Sequence, residues 1–119
     1  MLRFALAAAI LAASPAMGQT SKDCSRMPIQ LDANFCARDG WAISDAELNR
    51  LWGVVKPAAD RRGTGQALLD AQRSWLRYRD ATCEAERDEY AGGSIAPMIY
   101  WACMDRVTIQ RNAELRALL

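Results

Sequence analysis

The sequence predicts an all-α fold: a small disulfide-stapled bundle of about three helices behind a signal peptide. Three observations carry this prediction. The chain opens on a short basic and apolar leader, it holds an even number of cysteines, and its later apolar residues recur at helical spacing. At 119 residues, 51% hydrophobic and 24% charged, it has the size and composition of one globular domain.

The leader comes first. Met1-Leu2-Arg3 supplies a positive start, Phe4 to Ala13 an apolar run, and Ala16-Met17-Gly18 a small-x-small site. A signal peptide over residues 1–18, cut before Gln19, is expected. The apolar run is too short to span a bilayer, so no membrane anchor is expected after cleavage. Cys24 follows Ser21-Lys22-Asp23 rather than a run of small residues, which argues against lipid attachment. The mature domain, 19–119, is therefore expected to be soluble and exported.

From 20 to 43 the chain shows no sustained period and reads as an irregular segment closed by a covalent tie. Ser44-Asp45-Ala46-Glu47 has the form of a capping box. Leu48, Leu51, Trp52 and Val55 follow at helical spacing, so a first helix is expected at about 45–56, ended by Pro57. After the polar connector Arg61-Arg62-Gly63-Thr64-Gly65, a second helix is expected at about 66–91 along the stripe Leu68, Leu69, Trp75, Leu76, Cys83, Tyr90. Gly92-Gly93-Ser94 then reads as a stop followed by a new start. A third helix is expected at about 95–117 through Ile99, Cys103, Val107 and Leu115, with Pro97 tolerated in its first turn.

Export places the four cysteines in an oxidising compartment, where an even count in a short chain is a disulfide framework. Close Cys-x-x-Cys pairs are absent, which argues against zinc. In an antiparallel hairpin turning at Gly93, residues equally distant from the turn face each other, and Cys83 and Cys103 are such a pair. Cys24 then pairs with Cys36. The same register sets Asp80 opposite Arg106 and Asp70 opposite Arg116, and brings Arg111 near Trp75.

The function classes narrow by composition. With no histidine, a Ser/His/Asp triad, a Cys/His dyad and an imidazole-held metal are all excluded. A net charge of +1 lacks the basic surplus of a nucleic-acid binder. Phosphate-binding loops, nucleophile elbows and calcium loops are missing as well. No enzyme activity, cofactor or metal is expected. Gln72, Trp75, Arg79 and Cys83 share one face of the second helix. With Asp80 and Arg111 they read as a polar-threaded core, and a glycan-facing surface is the alternative.

The series Asp45-Ala46-Glu47-Leu48-Asn49-Arg50, Ala71-Gln72-Arg73-Ser74-Trp75-Leu76, Tyr78-Arg79-Asp80-x-x-Cys83, Gly92-Gly93-Ser94, Cys103 and Thr108-x-x-Arg111-x-x-x-Leu115 resembles the LprI-type lysozyme inhibitor family, over nearly the whole mature chain. The resemblance implies a small helical domain of the bacterial envelope, in some members a lipoprotein, that inhibits lysozyme; lacking a lipidation cysteine, this chain is expected to be free in the periplasm or secreted. Two functions follow. One is a protein that binds and blocks a muramidase, with Gly92, Gly93, Ser94, Arg61 and Arg62 as the expected contact residues at exposed tips. The other is a non-enzymatic envelope module that binds glycan or another envelope protein.

Overall fold

A computed structural model describes residues 23–119, and the signal peptide expected over residues 1–18 lies outside them. Three helices make up the described part: α1 (Gln30–Arg62), α2 (Gly65–Asp88) and α3 (Ala96–Arg116). The all-α class and the α2–α3 hairpin agree with the sequence prediction. Contacts across the bundle give the directions: Gln30 meets Met98, Ser44 meets Asn112 and Glu47 meets Arg116. Thus α1 and α3 run parallel, and α2 returns between them in sequence.

The largest correction concerns α1, which begins fifteen residues before the expected start at 45. Its buried face reads Ala33, Cys36, Ala37, Gly40, Ser44, Leu48, Leu51, Val55, Ala59, one unbroken helical stripe. The first half of that stripe is built of small residues, which let α3 approach closely but carry no hydrophobic signature. Of the expected irregular segment, residues 23–29 lie outside helix among the described residues. Ser44 caps nothing. It is fully buried mid-helix, its hydroxyl donating back to the Trp41 carbonyl at 2.9 Å.

Pro57 does not end α1 either. A proline removes the donor for the carbonyl four residues earlier, here Gly53. Both residues are exposed, so water reaches the orphaned carbonyl. The helix stops at Gly63 instead, whose φ of 81° needs a residue without Cβ. There the Gly63 N–H bonds the Asp60 carbonyl at 3.0 Å and the Thr64 N–H bonds that of Ala59 at 2.9 Å, a Schellman pairing. Gly92, at φ 82°, makes the second turn.

Leu48, Leu51, Val55 and Leu115 form one core cluster, with Trp52, Leu68 and Trp75 packed against it. Cys83, Cys103, Met104 and Val107 form another, beneath Trp41 and Trp101. Both disulfides join the expected partners, Cys24 with Cys36 and Cys83 with Cys103, at Cα separations of 5.7 and 5.4 Å. The long side chains depart from the expected register. Arg106 bonds Glu86 rather than Asp80, and Arg116 bonds Glu47 rather than Asp70. A disulfide needs close Cα atoms, whereas an arginine reaches diagonally to whichever carboxylate lies within its length.

Candidate functional site

Of the three helix pairs, α1 and α2 touch least, and a groove of about 400 Å³ opens between them. One wall comes from α1, where Trp41, Asp45, Leu48, Asn49 and Trp52 recur every three or four residues. The other wall is Leu69, Gln72, Arg73, Leu76 and Arg79 of α2, at the same spacing. Leu48 and Gln72 are buried and form the floor, while Asn49 and Arg73 stand exposed at the rim.

The polar residues of α2 are held from behind. Gln72 accepts a 2.9 Å hydrogen bond from Arg111 Nε of α3, and Arg111 also pairs with Glu114 at 2.7 Å. Arg79 donates to Asp80 at 2.9 Å and lays its guanidinium 5.3 Å from the Trp75 ring centre. Arg79 therefore takes the cation–π position over Trp75 that the hairpin register assigns to Arg111. Gln72 with Arg111, and Trp75 with Arg79 and Asp80, thus form two separate groups, and Gln72 and Arg79 line the groove. Asp45 is the one carboxylate of its lining, so the paired acids of a glycosidase are not assembled there. Among the described residues, no group of three or more His, Cys, Asp or Glu side chains could hold a metal.

The two expected contact tips lie at opposite ends of the bundle. Gly92, Gly93 and Ser94 are exposed beside the start of α1, where Asn34 Nδ2 donates to the Ser94 carbonyl at 3.1 Å. Arg61 and Arg62 close α1, some forty ångströms from Asn34 at about 1.5 Å per helical residue. One compact surface cannot include both.

Sequence reasoning missed the α1 wall. Trp41 fell in the segment read as irregular, and Asp45 and Asn49 in the cap and first turn of a helix thought to begin there. Their spacing to Trp52 becomes visible only once α1 is continuous.

These features define the class: a small three-helix domain, twice cross-linked, with a groove between α1 and α2. The chain belongs to the LprI lysozyme inhibitor family, whose model, described as "Lysozyme inhibitor LprI", matches residues 21–115. It is also 35% identical to an uncharacterised protein of Rhizobium meliloti (strain 1021), over 97% of this chain and 92% of that protein. No solved structure matches it. Family and disulfides together point to an exported protein. No helix among the described residues is long and apolar enough to cross a membrane.

Proposed function

We propose that this protein is released into the periplasm or medium by cleavage before Gln19 and there binds and blocks a lysozyme, without catalysis or cofactor. The observation that carries this reading is the match of the lysozyme-inhibitor family to residues 21–115, nearly every described residue. The contact proposed is the Arg61-Arg62 end. Both arginines are exposed, and neither makes an ion pair among the described residues. They sit on a turn whose backbone is already fixed by the Gly63 pairing, so little ordering is needed on binding. A muramidase cleft carries two carboxyl groups, which guanidinium groups meet by charge-assisted hydrogen bonds. The Gly92–Ser94 end suits such a cleft less, because Asp88 and Glu89 flank it.

Assay of the oxidised protein against lysozymes of several classes tests the reading. Inhibition at micromolar concentration is expected, reduced about tenfold or more in R61A/R62A with helicity unchanged. Substituting Gly93 and Ser94 should leave it intact. Full activity of every lysozyme would overturn the inhibitor reading.

The groove favours a second reading, an envelope module that binds glycan. Trp41 and Trp52 offer apolar ring faces, while Asn49, Gln72 and Arg79 offer planar hydrogen-bonding groups beside them. Titration with a muropeptide oligosaccharide separates the two readings, since binding in the groove would be lost in W52A and unaffected by R61A/R62A.

A further inference from the structure

A second pocket, about 320 Å³, lies between α1, α3 and the chain around Cys24. Its walls include Ala37, Gly40, Met98 and Ala102, all apolar, and its one deeply buried polar side chain is Asp105. Asp105 is only 5% exposed, and its Oδ1 has no hydrogen-bond partner. No ion pair compensates it either. Arg106, the nearest cation in sequence, lines the same pocket but is bonded to Glu86. Asp23, at the mouth, is occupied by the Ser25 N–H at 3.1 Å and the Ser25 hydroxyl at 2.6 Å, with Arg26 at 3.7 Å on its outer oxygen.

A buried carboxylate without a donor is costly, and proteins keep such a group where something fills its need. The pocket provides the room, and its composition selects the occupant. A bare metal ion would want several oxygens, and only Asp105 stands deep in the pocket. An anion would meet the carboxylate itself. An ammonium group on a short hydrocarbon stem satisfies both parts of the site at once.

We propose that this pocket binds an alkylammonium group, with the nitrogen donating to the Asp105 carboxylate and the methylene stem lying against Met98, Ala37 and Ala102. The same chemistry is carried by a free amine and by a lysine side chain of a partner protein. The site shares no lining residue with the groove and does not depend on lysozyme inhibition.

Amide chemical-shift titration of the oxidised protein with n-butylammonium, and in parallel with uncharged 1-butanol, tests the proposal. Saturable shifts centred on Gly40, Ala102 and Asp105 are expected for the ammonium alone. D105N keeps the shape and removes the charge, so affinity should fall about tenfold. A102L leaves Asp105 in place and fills the pocket from an exposed position, and it should abolish binding with both disulfides and helicity retained. Nα-acetyl-lysine N-methylamide separates the sources. Binding equal to that of butylammonium assigns the site to protein lysines, and binding of the bare amine alone assigns it to free amines. Equal shifts with 1-butanol, or unchanged affinity in D105N, would overturn the proposal.

Discussion

Glu47 shows how one carboxylate comes to hold two helices. It accepts from Arg50 Nε at 2.8 Å and Nη2 at 2.7 Å on its own helix, and from Arg116 Nη2 of α3 at 3.2 Å. The Arg50 hydrogen bonds, assisted by Arg116 and opposed by partial burial, hold its carboxyl at about 2 instead of the usual 4.5. A group whose folded pKa is depressed contributes its full stabilisation above the unfolded pKa and loses it as pH falls through the folded one. The contribution of Glu47 is therefore complete above about pH 4.5 and fades toward pH 2. E47Q should destabilise the protein by up to about 1 kcal/mol at neutral pH. Urea melts across pH 2 to 6 check this, since the gap between wild type and variant should close at the acid end. A neighbouring buried contact stands on hydrogen bonding alone: Asn112 Nδ2 donates to the Ser44 carbonyl at 3.0 Å, and both residues are fully buried. N112A removes that donor and opens a void at the α1–α3 contact. A loss of about 2 to 4 kcal/mol in chemical denaturation is expected.

At the scale of the element, α1 was the least legible part of the sequence and α2 the most. The α2 face announces itself through Leu68, Trp75 and Cys83, large residues at helical spacing. The first half of α1 packs through Ala33, Ala37, Gly40 and Ser44, where the contact is made by the absence of side chain and leaves no apolar period to read. Its helical state is decided by tertiary packing against α3, which outweighs weak local propensity. The missing half of the helix also hid the candidate groove, because Trp41, Asp45 and Asn49 share a wall with Trp52 only on a continuous α1. Ser44 and Glu47 had the spacing of a capping box, yet they are spent on a back-bond to Trp41 and on Arg50 and Arg116. Pro57 misled for a related reason. A proline inside a helix costs stability, but the cost is tolerable when the freed carbonyl faces water and the flanking Val55 and Ala59 are buried. P57A should restore the missing hydrogen bond and raise stability by about 1 to 3 kcal/mol. Thermal unfolding followed by circular dichroism reads this directly, and an unchanged midpoint would show that the proline carries no strain.

At the scale of the molecule, the two disulfides do different work because they close different parts of the bundle. Cys24–Cys36 ties the non-helical lead to the start of α1 and shares its cluster with Ala37, Met98 and Trp101. Cys83–Cys103 joins α2 to α3 in the middle of the core, where both cysteines are fully buried. Because α2 leans on α3 more than on α1, that bond positions the α2 wall of the groove, including Gln72 and Arg79. Removing it as C83A/C103A should lower stability by about 2 to 5 kcal/mol, through greater freedom of the unfolded chain and loss of core packing. The effect should also be local. Hydrogen exchange is expected to quicken first along α2 between Gln72 and Cys83, while amides of α1 between Ser44 and Val55 stay protected by the Leu48, Leu51, Val55 and Leu115 cluster. C24A/C36A should instead loosen the lead and the first turns of α1 and leave the groove closed to exchange. Equal acceleration across all three helices in both variants would mean that the bundle opens only as a unit, and that neither bond governs one site in particular.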